Sequence, residues 1–294
     1  MRDRFFIFFQ EIIPQHTLSR FVGKLADCKV RWIKDLFIGL FVKAYDVNMQ
    51  EAVEEHPFNY PSFNAFFTRA LKPSAREICP DPNQLACPVD GTVSQIGDID
   101  KDHIFQAKGH HYNLTTLIGG DPEQAEPFID GHFATLYLAP SDYHRVHMPV
   151  EGKLTSMVYV PGDLYSVNGT TAENVNELFA RNERLVCFFE TAAGPMAMVL
   201  VGAMIVAGIE TVWAGQVAPP LCHIQRTHYD KAHFEQVVAQ EPLVLTKGEE
   251  MGRFKLGSTV ILLFGKDAID WGDKFAEGVT TRLGEPLAEI LLED

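Results

Sequence analysis

Residues 254–264 read FKLGSTVILLF, and the placement of this stretch decides the rest. Val260 to Phe264 is an unbroken apolar run of strand length, with the pair Gly257-Ser258 at its head. A serine opening a strand is ordinary, because strands begin at turns and glycine and serine are turn residues. The pair gains meaning only if the chain supplies partners for the hydroxyl.

Outward from this stretch, short apolar or alternating runs recur beyond about residue 85. GTVSQIG (91–97), HFATLYLA (132–139), KLTSMVYV (153–160), RLVCFFE (184–190) and PMAMVLVGAMIV (195–206) are separated by Gly, Pro, Asn and Asp. That is the texture of a β-rich core. Helices are expected over residues 2–13 and about 17–44, and from Ser62 to Leu71 with Ser62 as cap. One inserted helix is expected within 168–182. The fold class is therefore α+β, a β-rich catalytic core with an amphipathic helical amino-terminal region. The division is placed near residue 60, giving segments 1–60 and 61–294.

The 294 residues suffice for a sizeable core. A net charge of −14 and the lack of a basic stripe argue against nucleic acid as a partner. Five cysteines, without CxxC spacing, fit neither a zinc knuckle nor a disulfide framework and favour a reducing compartment. The charge is uneven: residues 1–43 hold eight Lys or Arg against four acids, a net +4 that leaves −18 to the rest. This basic head lacks the clean apolar core of a signal peptide, and its longest apolar stretch, 36–42, cannot cross a bilayer. Phe5, Phe9, Ile12 and Ile13 fall at helical spacing, as do Trp32, Leu36 and Leu40 beside Ile33, Phe37 and Phe41. Such stripes either lie in a membrane interface, drawn to anionic lipid, or pack on the protein's own body.

Three further stretches carry chemistry-bearing residues. In CPVDGTVS, Asp90 precedes Gly91, which by itself describes a tight turn. In APSDYHRVHMP, Ser141 suits a helix cap, and His144 and His147 would share one face of a helical turn but point oppositely in a strand. A zinc site would need a third ligand at a recognisable spacing, and none is present. In VPGDLYSVNGTT, Ser166 lies in a polar loop of the kind that binds ligands, or in a plain connection capped by Thr170 or Thr171. Together these supply Asp90, His147 and Ser258, the parts of an activated hydroxyl. No GxSxG elbow surrounds Ser258, so the carbonyl just before it becomes a candidate target. Glycine at 257 removes the Cβ and admits strained backbone, letting Oγ approach that carbon. A serine hydrolase using the same three residues, and a non-enzymatic module binding lipid head groups, remain open at this point.

The chain resembles the bacterial phosphatidylserine decarboxylases, pyruvoyl-dependent enzymes made as proenzymes. The likeness runs through FNAFFTRALKPSAREI, PVDGTVSQIG, QAKGHHYNL, YHRVHMPVEG, YVPGDLYSVN, LFARNERLV, VGAMIVAGIETVWAG and KGEEMGRFKLGSTVILLF. The chain lacks the acidic tail that some relatives carry after the last strand, a difference not expected to touch the chemistry.

The resemblance implies self-cleavage between Gly257 and Ser258, with Ser258 Oγ attacking the Gly257 carbonyl and His147, oriented by Asp90, as base. A β chain, 1–257, and an α chain from 258 result. Ser258 becomes the covalent pyruvoyl cofactor, which forms a Schiff base with phosphatidylserine and releases CO2 and phosphatidylethanolamine; no metal is implied. His144 is assigned to the decarboxylation step as proton donor or carboxylate-binding group, and Ser166 to the head group. The implied partners are phosphatidylserine in the membrane and the two chains of one precursor, with room for a homodimer. Residues 1–60 become a membrane-associating region, and the implied location is the cell membrane, peripheral, on the cytoplasmic side. A pyruvoyl decarboxylase of a soluble amino acid is the near alternative, disfavoured by the amphipathic head.

Overall fold

The computed structural model describes residues 7, 8, 10, 12–204, 208–218, 223–229 and 242–291, and for Ala218 and Ser258 the backbone alone. Phe5 and Phe9 of the first apolar stripe fall outside the described residues. Helix α1 (Gln15–Ala26), α2 (Arg31–Tyr45) and the short α3 (Phe63–Phe67) form the amino-terminal region. The strands that build the site are, in order, β1 (Gly91–Asp98), β2 (His132–Leu138), β3 (Arg145–His147), β4 (Gly152–Val160), β5 (Arg184–Thr191), β6 (Gly194–Val201), β7 (Gly208–Thr211), β8 (Glu250–Lys255) and β9 (Ser258–Phe264). The architecture is α+β, as the patterning implied.

The larger sheet runs β4-β5-β6-β9-β2-β1 through antiparallel pairs, so the FKLGSTVILLF stretch ends as a central strand. The apolar run has a direct physical reason. Val260, Leu262 and Phe264 join one core with Leu136, Met198 and Leu200, whereas Ile261 and Leu263 join another with Phe133 and Val199. A strand covered on both faces cannot alternate with polar residues. All five side chains are fully buried, a gross hydrophobic gain on the order of 10 kcal/mol before chain entropy is charged. A second sheet carries Gly215–Ala218, β7, β8 and β3 in that order.

Three helix expectations change. The single helix over 17–44 is two, broken at 27–30, where the Asp27 carboxylate accepts from Asn64 Nδ2 at 2.7 Å and Val30 is extended. The helix from Ser62 stops at Phe67; Ser62 does cap it, accepting from Ala65 N at 3.2 Å. The inserted helix of 168–182 splits into Gly169–Asn174 and Leu178–Arg181. Asn168 rather than a threonine caps the first piece, with Thr171 closing the capping box. Between the pieces, buried Gln106 donates to the carbonyls of Ala172 and Val175 and accepts from Leu178 N, each at 2.8 Å. One distant amide thus satisfies backbone groups that a continuous helix would have paired internally.

An aromatic core joins the helices: Phe41 of α2 meets Phe63, Phe66 and Phe67 of α3 with ring centroids 5.2, 6.1 and 5.8 Å apart. Helix α2 turns its apolar stripe outward, leaving Trp32 71%, Leu40 59% and Leu36 53% exposed. Beneath it Lys34 is buried, its ammonium held by the Phe58 carbonyl at 2.8 Å and Asp35 at 2.6 Å. No helix among the described residues is long and apolar enough to cross a membrane.

Candidate active site

The chain passes from the second sheet to the first between Lys255 and Ser258, and both connecting residues are left-handed. Leu256 has φ +76° and Gly257 φ +81°. A leucine held there costs about 1–2 kcal/mol, so the crossing stores strain. A Cβ built on Gly257 would meet no atom within 4 Å; backbone conformation rather than crowding selects glycine here. Ser258 pairs with Leu138 of β2, but pairing with β6 begins only at Thr259 opposite Val201. The Gly257–Ser258 peptide therefore sits at the open mouth of the sheet. Leu256 and Gly257 border a cavity of about 360 Å³ whose wall includes Tyr45, Tyr137, Ser166 and Asn168.

The segment carrying both histidines forms no helix. The Asp142 carboxylate accepts from Ala139 N at 2.7 Å and closes a turn, after which β3 pairs with β8, placing His147 opposite Glu250. The two imidazoles consequently diverge. His144 is fully buried with its ring 4.0 Å from that of Phe67, a wall residue of the same cavity. Its Nδ1 donates to the Asp142 carbonyl at 2.9 Å, leaving Nε2 as a bare lone pair without a partner among the described residues. Burial drops its pKa to about 3, with the Arg69 charge pushing the same way against the Asp142 carbonyl. His147 is also lowered by burial, opposed by its bond to Gly248 and by the charges of Glu250 and Asp90. Its Nδ1 donates to the Gly248 carbonyl at 2.8 Å, and its Nε2 faces the Tyr143 hydroxyl at 3.1 Å. Since a carbonyl can only accept, Nδ1 carries the hydrogen, Nε2 is the nitrogen that gains or loses a proton, and burial favours the neutral ring.

Asp90 is engaged elsewhere. Arg76 Nε approaches its two oxygens at 2.9 and 3.1 Å, Arg76 Nη2 also donates to it, and Leu283 N donates at 2.9 Å. Glu51 completes the cluster, accepting from Arg76 Nη2 and from Arg282, each at 2.9 Å. Burial opposes the Arg76 charge, yet the two carboxylates outweigh it and raise its pKa. No hydrogen bond joins Asp90 to His147; Gly248 and Tyr143 orient the ring, and Asp90 reaches it through its charge. Ser166 lines the cavity, but both its N–H and its hydroxyl donate to Gln10. The site of Ser258 is set by its backbone, its side chain lying outside the described set. Sequence reasoning missed Tyr143, Arg76 and Gln10. Gly248, in the quoted KGEEMG run, carried a usable signal, since glycine is a turn residue, and the structure gives it a φ of +80°.

Arg69 and Arg145 tie α3 to this segment. Arg69 Nη2 donates to the Ser141 carbonyl at 3.1 Å, and Arg145 Nε to the Thr68 carbonyl at 2.9 Å. The helical region thus backs the site rather than merely adjoining it. A second cavity of about 360 Å³, walled by Phe37, Leu40, Phe41, Phe63 and others, shares Phe41, Tyr45 and Leu256 with the first.

Two family models match the chain: one described as Phosphatidylserine decarboxylase over residues 63–289, and one described as PSD over residues 5–46. The chain is 56% identical over 288 residues to a Pseudomonas putida protein named phosphatidylserine decarboxylase proenzyme, covering 98% of each chain. Proteins of the same name from Pseudomonas entomophila (56% over 288 residues, 98% of each) and Ectopseudomonas mendocina (53% over 292 residues, 99% of this chain and 100% of the relative) are similar over equal lengths.

Proposed function

The chain belongs to the phosphatidylserine decarboxylase family, and on that premise we propose that it is a proenzyme that cuts itself at Gly257–Ser258 and then decarboxylates phosphatidylserine at a membrane surface. The observation that carries this reading is the strained Leu256-Gly257 crossing, which opens the scissile peptide onto a cavity whose wall residue Phe67 packs on the buried ring of His144.

In self-cleavage, Ser258 Oγ bonds to the Gly257 carbonyl carbon and the C–N bond breaks, giving an ester. The hydroxyl proton is assigned to His147 Nε2, which returns it to the released amine with the Tyr143 hydroxyl beside it; the register sets His147 opposite Glu250 and His144 beside Phe254, so His147 must come nearer to Ser258 than it lies here. Relief of the left-handed pair favours the cut. Elimination then removes the Ser258 α-proton and the Gly257 carboxylate, and water replaces the nitrogen as ammonia. Asp90, pinned by Arg76, favours positive charge on His147 in passing.

The residues fit a pyruvoyl group at position 258. Tyr137, Leu256 and Gly257 leave room on the cavity side, and the strand beyond is rigidly buried. That group supplies a ketone for the substrate amine and withdraws electrons from the bond to the carboxylate. His144, whose buried Nε2 has no hydrogen-bond partner among the described residues, delivers the proton to the carbon left by CO2. Ser166 contacts the head group, and the apolar cavity behind Leu256 takes acyl chain.

The outward stripe of α2, flanked by exposed Lys24, Lys29, Arg31 and Lys43, supports docking on anionic lipid at the cytoplasmic face. The test is release of labelled CO2 from carboxyl-labelled phosphatidylserine in vesicles. Wild type releases it and Ser258→Ala, running as one chain on a denaturing gel, does not; an uncut, active Ser258→Ala protein overturns the reading.

A further inference from the structure

Both donors of Ser166 end on one acceptor: its N–H lies 2.8 Å and its hydroxyl 3.0 Å from Gln10 Oε1. A backbone N–H can only donate, which fixes the orientation of the Gln10 amide. Gln10 is 1% exposed, and its Nε2 is buried without a partner among the described residues. Only its oxygen is used, then, although an unsatisfied donor costs about 1–3 kcal/mol. The contact does not stand alone. Gln15 Oε1 accepts from Leu164 N at 2.6 Å, Gln15 Nε2 donates to the Gln10 carbonyl at 2.9 Å, and His16 Nε2 donates to the Gly162 carbonyl at 2.9 Å. Gln10, Gln15 and His16 therefore form a polar strap along 162–166, the approach to the cavity wall at Gly257.

We propose that Gln10 is a positioning residue of the head-group pocket: by taking the Ser166 hydroxyl proton it leaves the Ser166 oxygen as an acceptor for the substrate ammonium, and it fastens that wall to the membrane-facing helices. Asn168 Nδ2 spends one lone pair weakly at 3.5 Å, and the other faces no donor of the strap. The inference rests on the head-group reading of Ser166 given above.

The experiment measures kcat and KM of the self-processed full chain on vesicles of phosphatidylcholine and phosphatidylserine in equal parts. Sedimentation with the same vesicles reads docking separately. Gln10→Leu and Ser166→Ala should each raise KM about tenfold with kcat little changed and docking intact, the loss of one oriented hydrogen bond. The double variant should be no worse than either single, since both break one path. Gln10→Glu, which keeps the acceptor and discards the idle donor, should restore KM to within about twofold. Additive effects, an unchanged KM, a Gln10→Glu protein as impaired as Gln10→Leu, or a KM rise that follows lost docking would each overturn the proposal. If Gln10→Leu does not fold, Gln10→Glu and Ser166→Ala decide by the same readouts. A wild-type chain that never releases CO2 would sink the decarboxylase reading instead, which keeps the two failures apart.

Discussion

Strand β9 and helix α2 are built from similar apolar residues and meet opposite fates. Val260 to Phe264 are wholly buried between two cores, whereas Trp32, Leu36 and Leu40 stand in solvent above a buried lysine. Burying Lys34 is costly unless its ammonium is paired, and two oxygens hold it. The inward face of α2, with Ile38, Phe41 and Val42, already completes the helical core, so the outward stripe is surplus to it. The contrast separates apolar surface spent on folding from apolar surface left open, and the crossing at 256–257 lies where the two regions meet, with Leu256 packed against the helical core.

The strongest way to break this contrast is truncation in each region. Leu262→Ala should cost about 2–5 kcal/mol in denaturant unfolding, and Leu36→Ala less than about 0.5 kcal/mol. Equal costs would mean that the stripe is folding core. Next in size, the triple change Trp32→Ala, Leu36→Ala and Leu40→Ala should weaken binding to anionic vesicles roughly hundredfold while the unfolding midpoint stays put. Unaltered vesicle binding would remove the membrane role of α2.

A third test concerns acid. His144 has an ordinary pKa of 6.5 and a folded one of about 3, so below pH 6.5 the unfolded chain binds a proton that the folded chain refuses. Its contribution to stability is therefore lost as pH falls from 6.5 towards 3, by about 1.4 kcal/mol per pH unit, and His144→Phe should flatten that slope. An unchanged slope would show that His144 is not held neutral.

The sequence made some of this legible and hid the rest for a consistent reason. Apolar runs of strand length, the Ser62 cap and the Trp32-Leu36-Leu40 stripe are local patterns, and each reappears in the structure. What escaped depends on groups far apart in the chain. Gln106 splits a helix from about 70 residues away, His147 takes its tautomer from Gly248 across 101 positions, and Gln10 holds Ser166 across 156. The Asp-His-Ser constellation was readable as residue types, but the hold of Arg76 on Asp90 was not, because nothing in spacing says which cation a carboxylate will choose. The residue pair 144 and 147 was ambiguous between helix and strand, and pairing of β3 with β8 settles it.

Mass spectrometry of freshly purified, active protein under denaturing conditions tests the central claim most directly. The account predicts two polypeptides, 1–257 and a small chain whose first residue is a keto acid in place of Ser258, blocked to amine reagents and reactive with hydrazine. Activity in a single intact chain that still carries an ordinary serine at 258 would contradict it.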